Sequence, residues 1–313
     1  MKISIFIFSI IILLISPFYG QIDISINNIL NPNTMDNKIF FDIRLPRVLL
    51  AFFIGAILAL AGLIFQSVFK NPMATPFTLG VASGATLFTA LAIILGFSSF
   101  VSIFAFIGAM ITIVVLFLIS RTFDFTQTSS LLLVGIALSF FYSASLMVLY
   151  YISSLQQSYE IMRFTMGSLD IVGFSNIYIV FTSAMFLLIV VLVNKNALQL
   201  LLTSYEFALL KGLNVKKVNY TLLFVVSISV AIAVSIVGPI GFVGLIIPHI
   251  IKTIYKKSAH MLILPIFYYG GVFLVFCDLV ARNLQTQSDV PIGVITSFLG
   301  APFFIYLIIK KKK

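Results

Sequence analysis

Charge and cysteine are both scarce in this sequence of 313 residues. Only 9% of the residues are Asp, Glu, Lys or Arg, and they stand in clusters between long apolar runs. The single cysteine, Cys277, excludes an internal disulfide and a thiolate metal cage. We therefore expect no redox or zinc chemistry, and we expect Cys277 to serve helix packing.

Nucleotide-binding and hydrolytic motifs are missing as well. The chain has no G-x-x-x-x-G-K-[ST] segment to cradle the phosphates of ATP, and neither H-E-x-x-H nor G-x-S-x-G. His249 and His260 have no ligand-like neighbours in the sequence. These absences argue against an enzyme, and they predict neither a metal site nor a directly bound cofactor.

Apolar side chains are present in great excess. They make up 61% of the residues, with 33 phenylalanines, and the mean hydropathy is +1.19. A soluble core could not hide this much apolar surface. The runs are about 20 residues long, which is the length an α-helix needs to cross a bilayer. The sequence therefore predicts an all-α polytopic membrane protein.

Ten apolar runs predict about ten transmembrane helices. They cover residues 3–19, 46–69, 79–96, 100–120, 129–151, 174–194, 218–237, 241–255, 262–281 and 290–309. The first run could pass for a signal peptide, but "SPFYGQ" lacks a small-x-small cleavage pattern, so we expect a retained span. A Gly-Pro break at 238–239 separates the seventh run from the eighth.

The net charge of +10 is explained by membrane topology and not by nucleic-acid binding. With ten spans and both termini in the cytoplasm, 14 of the 19 Lys and Arg residues fall on the inner side of the cytoplasmic membrane. Merging the seventh and eighth spans would reverse this bias in the last third of the chain. The five basic residues on the outer side are Lys38, Arg44, Arg47, Arg163 and Arg282.

The chain reads as one transmembrane domain, residues 1–313, with three longer connections. Residues 20–43 form a polar outer loop, and residues 151–173 form an outer segment of partly helical character. Residues 194–217 lie on the inner side and have an apolar face at helical spacing, which predicts short surface helices.

Asp278 is the one acid that falls within a predicted span. It precedes Arg282 by four residues on the same helix face, so a local ion pair is the simpler interpretation. The alternative is the coupling-ion site of a self-sufficient secondary transporter. In the second span, Gly55, Ala59 and Gly62 form a face of small residues that allows close helix approach.

Three segments closely resemble signatures of the FecCD family, the permeases of iron-siderophore, haem and cobalamin ABC importers. They are "RLPRVLLAFFIGAILALAGLIFQSVFKNPMATPFTLGVASGA" (44–85), "GPIGFVGLIIPHIIK" (238–252) and "DLVARNLQTQSDVPIGVITSFLGAPFFIYLI" (278–308). The segments stand in the family's order and spread over nearly the whole chain. One departure is Asp289 where the family usually has Glu, which keeps the charge.

The resemblance implies a type II importer that works by alternating access. Two permease copies, identical or related, would enclose the pathway in the bilayer, with ATP bound and hydrolysed on cytoplasmic partner subunits and a substrate-binding protein docking outside. The implied substrate is a ferric siderophore, with cobalamin and haem as alternatives within the same family.

The resemblance also assigns roles to three sets of residues. Arginines that would meet acids of the binding protein are Arg44, Arg47 and Arg282, although such arginines often only anchor helix ends. The segment "YEFALLKGLNV" would couple the permease to the ATPase, and Glu206, Ala208 and Gly212 match the family pattern there. The alternative is that this segment is a plain surface loop. The inner mouth would be narrowed by Asn71, Met73 and Thr128, near Pro72 and Pro76, which prevent a regular helix.

Overall fold

The computed structural model describes residues 2–120, 128–203, 208, 210–284 and 290–311. Every regular element in these ranges is helical, which confirms the all-α prediction. The longer helices are α1 (Lys2–Ile15), α2 (Leu45–Val68), α3 (Val81–Ile94), α4 (Val101–Ser120), α5 (Thr128–Ile152), α6 (Leu155–Met166), α7 (Ser175–Val193), α8 (Lys195–Thr203), α9 (Val215–Val237), α10 (Val243–Tyr255), α11 (Ile263–Asn283) and α12 (Ile292–Lys311).

Ten of these helices correspond, in order, to the ten predicted runs. In the described part of the chain, six helical segments are long and apolar enough to cross a membrane, namely those that contain α2, α4, α5, α7, α9 and α11. Four shorter apolar helices, α1, α3, α10 and α12, complete the set. The remaining two, α6 and α8, lie in the predicted outer and inner connections and confirm their helical character.

The second span begins earlier than its apolar run. A helical turn at Met35–Lys38 and a π-helical turn at Ile39–Arg44 lead directly into α2, in a stretch expected to be loop. The Thr34 side chain accepts a hydrogen bond from the Asn37 backbone N–H and so caps this start. Asp36 in the first turn also suits the positive end of the helix dipole.

Helix α2 is the centre of the bundle. Every residue from Ile54 to Val68 is buried, against α7, α9, α10 and α11. A Cβ atom at Gly55 would overlap the carbonyl oxygen of Gly270 in α11, and one at Gly62 would overlap that of Gly244 in α10. The small-residue face is thus confirmed as the surface that lets these backbones approach closely, which drives helix association in lipid.

The Gly-Pro break between α9 and α10 is also confirmed. Helix α9 ends at Val237, and Gly238 follows with a φ of +73°, which favours glycine. The carbonyl oxygen of Val237 accepts a hydrogen bond from the Ser168 backbone N–H at 2.8 Å. This contact ties the segment after α6 to the α9–α10 break.

The two ends of the bundle differ in charge. We call the end that carries Arg44, Arg47, Asp170 and Asp278 the arginine end. The opposite end, where α9 begins and α10 ends, is the lysine end and carries Lys216, Lys217, Lys256 and Lys257.

Candidate functional site

Arg47 lies at the centre of a charge cluster at the arginine end. Pro46, with its fixed φ and missing N–H, suits the first turn of α2 and places Arg47 there. The Arg47 Nε lies 2.8 Å from Asp278 Oδ1, and its Nη1 lies 2.8 Å from Asp170 Oδ1. Arg47 therefore joins α2 to α11 and to the segment that follows α6.

The expected pair of Asp278 and Arg282 is present within α11. Arg282 Nε lies 3.0 Å from Asp278 Oδ2, and Asp278 is completely buried. The contact is an ion pair without a well-aligned hydrogen bond. Arg282 Nη2 donates to the Ser16 hydroxyl oxygen at 2.8 Å, so the pair also holds the end of α1. Two arginines thus compensate one buried carboxylate, as its desolvation requires.

Asp170 is the second carboxylate of the cluster. Its Oδ2 accepts hydrogen bonds from the Ser168 hydroxyl at 2.6 Å and from Arg163 Nη2 at 3.1 Å. Burial raises the pKa of Asp170, but the Ser168 hydrogen bond and the charges of Arg47 and Arg163 outweigh it, so the pKa lies below its ordinary value. Asp170 is therefore a carboxylate at neutral pH and holds the end of α6 to Arg47.

Arg44 is buried beside this cluster and donates to backbone oxygens. Its Nη1 lies 2.6 Å from the carbonyl oxygen of Phe18, and its Nη2 donates to that of Ile22. A Cβ atom at Gly20 would come within 3.2 Å of the Arg44 guanidinium, so the glycine leaves room for it. Arg44 thereby fixes the segment that follows α1.

Two cavities flank Arg47. One has a volume of 160 Å³ and is lined by Arg44, Arg47 and Arg282, with Gln21 among its other walls. The other has a volume of 360 Å³ and is lined by Arg47, Arg163 and Asp170, with residues of α6 and the start of α12. Among the described residues, Arg47, Arg163 and Arg282 form ion pairs with Asp170 and Asp278 in this cluster.

The structure brings the three sequence-predicted arginines together, but it buries their side chains. Arg44, Arg47 and Arg282 are 5%, 8% and 5% exposed. The most exposed cation of the cluster is Arg163, whose side chain is 59% exposed. Sequence reasoning missed both Asp170 and Arg163 as site residues. The available signal was the topology, which placed these two residues on the same side of the membrane as Arg47.

The predicted coupling residues lie at the lysine end, and the structure describes part of them. Glu206 lies outside the described residues. Ala208 is buried against Leu201 and Val215, and its carbonyl oxygen accepts a hydrogen bond from the Leu213 backbone N–H at 3.1 Å. Gly212 has a φ of +74°. Leu210, which sequence reasoning did not single out, is 86% exposed and leaves an apolar side chain uncovered here.

The predicted gate residues lie in the turn between α2 and α3. The irregular turn confirms the expected effect of the two prolines, since residues 69–80 form no regular helix. Asn71 Oδ1 accepts a hydrogen bond from the Met73 backbone N–H at 2.9 Å, so Asn71 shapes the turn, and Met73 is 49% exposed. Thr128 is the first residue of α5, and its side chain lies outside the described part of the structure.

In the described part of the chain, ten apolar helices, with α2 buried at their centre and a polar cluster at one end, define a polytopic membrane protein. A family model described as the FecCD transport family matches residues 7–310. The chain belongs to this family. Among the described residues, no group of three or more His, Cys, Asp or Glu could hold a metal ion.

Individual relatives agree with the family. The chain is 35% identical to the hemin transport system permease protein of Yersinia pestis, over 94% of this chain and 90% of the relative. It is 36% identical to the cobalamin import system permease protein of Halobacterium salinarum, over 85% of this chain and 72% of the relative. A solved metal-chelate type ABC transporter in an inward-facing conformation superposes with a TM-score of 0.88 at 29% identity, covering 98% of both chains.

The chain is thus a permease subunit of an ABC importer and a multi-pass protein of the inner membrane. It is not itself an enzyme, because ATP hydrolysis in such importers resides on a separate subunit. Membership of this family implies an ATPase and a substrate-binding protein as partners.

Proposed function

We propose that this permease carries a ferric siderophore across the membrane by alternating access, as one half of a dimer, with its arginine end outside and both termini in the cytoplasm. The observation that carries the substrate class is the similarity, over nearly the whole chain, to a hemin permease and to a metal-chelate transporter. Both names denote a metal held in an organic chelate. The excess of Lys and Arg at the lysine end supports the orientation.

Haem is the second candidate substrate. The Yersinia pestis permease, at 35% identity over 94% of this chain, favours it specifically. Cobalamin, named for the Halobacterium salinarum relative, is a third substrate of the same family.

The substrate is tested by transport in reconstituted vesicles. The permease is combined with its ATPase and binding protein, and ATP-dependent uptake of radioactive iron is measured from ferric hydroxamate and ferric catecholate siderophores. Hemin and labelled cobalamin are run beside them, and the metal-free siderophores serve as competitors. We expect uptake from at least one ferric siderophore. Uptake of hemin or cobalamin alone would contradict the proposed substrate class.

The docking of a binding protein is proposed at the 160 Å³ cavity of the arginine end. Three guanidinium groups line it, and a guanidinium presents a fork of donors that suits a carboxylate. An acidic side chain of the partner that entered this cavity would meet these donors. The burial of these arginines supports entry of a protruding side chain better than contact with a flat surface.

Charge reversal at Arg47 would disrupt the cluster itself, so the docking test blocks the cavity instead. Gln21 is exposed and lines the cavity, and Gln21→Trp fills it without changing any charge. Asn27→Trp is the matched control, because Asn27 is exposed on the same loop and does not line the cavity. We expect affinity for the binding protein to fall about tenfold in Gln21→Trp only. Equal affinities would contradict docking at this cavity.

The lysine end is proposed as the face that contacts the ATPase and narrows the inner mouth. The exposed Leu210, next to the buried Ala208 and the turn at Gly212, is the feature that supports coupling there, together with Glu206 from the family pattern. Asn71, Met73 and Thr128 are proposed to narrow the pathway.

Helix α5 is proposed to face the second permease copy. It leaves most of its apolar surface uncovered, including Phe140 and Tyr151, whereas the core helix α2 is almost fully buried.

A further inference from the structure

A groove runs between α4 and α9 on the side of the bundle, near the lysine end. Its volume is 640 Å³, which lies in the range of small-molecule sites. Its walls include Ile113, Phe117 and Leu118 of α4 and Tyr220, Thr221 and Phe224 of α9. The surface is therefore almost entirely apolar, with one phenol group toward the lysine end.

Aromatic rings shape this groove. The ring of Phe117 lies 5.6 Å from that of Tyr220 and 6.2 Å from that of Phe224, measured between centroids. Phe224 is 47% exposed and Leu118 is 56% exposed, so these side chains present apolar surface to whatever lies beside the bundle. In a membrane-spanning segment, a lipid acyl chain has the matching chemistry.

Two lysines stand at the head of the groove. Tyr220 follows Lys216 by four residues and Lys217 by three, and Phe224 follows Lys217 by seven, so all lie on one face of α9. The rise of a helix puts Lys217 about 10 Å from Phe224 along the axis. Both lysines are exposed, and no described acidic side chain forms an ion pair with either.

The position of these lysines in α9 adds a second argument. They follow Val215 in the first turn, where the helix dipole is positive and cations are disfavoured. An anion placed there would interact favourably both with the two ammonium groups and with the helix terminus. The groove and the charges together match a molecule with an anionic head and an apolar tail.

We propose that the groove binds an anionic phospholipid, with an acyl chain along α4 and α9 and the phosphate at Lys216 and Lys217. Basic clusters at the membrane surface attract anionic lipid, by about fivefold in affinity for each lysine. The proposal uses the membrane topology of the chain but not its substrate, so it stands or falls independently of the transported molecule.

The absence of tryptophan from the chain gives a direct test. Phe224→Trp places a single fluorophore in the groove, and lipids with brominated acyl chains quench it on contact. The full-length protein is placed in bilayers of phosphatidylcholine with increasing brominated phosphatidylglycerol or brominated phosphatidylcholine. We expect the anionic lipid to quench at about 25-fold lower mole fraction, and the preference to disappear in Lys216→Gln/Lys217→Gln.

Two controls isolate the site. Lys256→Gln/Lys257→Gln removes the same charge from exposed residues elsewhere at the lysine end, and it should keep the preference. Phe186→Trp reports from the exposed face of α7 and should show equal quenching by both lipids. Equal quenching at Phe224→Trp would overturn the proposal, as would a preference that survives loss of Lys216 and Lys217. If neither brominated lipid quenches Phe224→Trp, another protein surface covers the groove, and this result would also overturn the proposal.

Discussion

At the scale of single residues, Arg47 has the most consequential position. Its guanidinium contacts two carboxylates that the chain brings from distant segments, Asp170 and Asp278, both at 2.8 Å. Asp278 has no exposed surface, and within the described part of the chain two arginines compensate its charge. The loss of one member of a buried ion cluster is costly, because it leaves a desolvated charge with fewer compensating partners.

Removing the charge of Asp278 is therefore expected to destabilise the protein strongly. Asp278→Asn removes the buried carboxylate that lies 3.0 Å from Arg282 Nε and 2.8 Å from Arg47 Nε, at a cost of about 3 kcal/mol. Thermal unfolding of the purified protein in detergent measures the effect. Asp23→Asn is the matched control, because Asp23 is exposed, and it should change stability by less than about 0.5 kcal/mol. Similar melting temperatures for the two variants would show that the cluster does not stabilise the fold.

Asp170 predicts a pH dependence with a definite sign. The pKa of Asp170 lies below the value of about 3.9 for an unperturbed aspartate. Its stabilising contribution is therefore complete above that value and is lost as the pH falls through the lower, folded-state pKa. The gap in melting temperature between the wild type and Asp170→Asn should be constant from neutral pH to about pH 5 and should close in stronger acid. A gap that closes instead as the pH rises would contradict the ion pair.

At the scale of elements, the sequence predicted the helices well and their polar extensions poorly. The bilayer fixes the length of an apolar helix, so the ten runs and the break at Gly238 and Pro239 could be read directly. The helical start at Met35 was missed because Asp36 and Lys38 look like loop residues, and a local cap, not apolar periodicity, makes the turn helical.

The contacts between elements were largely beyond a single sequence. The pair of Asp278 and Arg282 could be predicted because helix geometry relates residues four apart. The contact of Arg47 with Asp170 depends on how the segment after α6 packs against α9, which no local pattern encodes. For the same reason, the common role of Arg44, Arg47 and Arg282 at the outer rim was expected from the family resemblance and not from spacing, and the cavity that they share was not predicted.

The segment between α8 and α9 carries a prediction about assembly. Leu210→Ser should leave stability unchanged, because the side chain is already 86% exposed. It should weaken binding of the ATPase by about tenfold if the leucine is buried in that contact. Lys257→Ser at the same end is the control and should bind normally. The affinity of each purified variant for the ATPase is measured. Equal affinities of Leu210→Ser and Lys257→Ser would show that Leu210 is not part of the coupling surface.

At the scale of the whole molecule, the two ends of the bundle present different groups. The arginine end presents a cluster of arginine and aspartate side chains beside two cavities, and the lysine end presents an exposed apolar residue and an irregular turn. Between them, α2 is packed too closely against α10 and α11 for a pathway through its own core. This arrangement supports a pathway at the edge of the subunit, between two copies, and an energy source outside this chain.

The most direct test of this account is to identify the energy source for transport. Vesicles containing the permease with its ATPase and binding protein are supplied with internal ATP, and uptake of the iron chelate is followed with and without ionophores that collapse ion gradients. Uptake should require hydrolysable ATP and both partners, and it should be unaffected by the ionophores. The permease alone, given an imposed proton or sodium gradient, should accumulate nothing. Accumulation by the permease alone, abolished by the ionophore, would show instead that Asp278 serves an ion-coupled transporter.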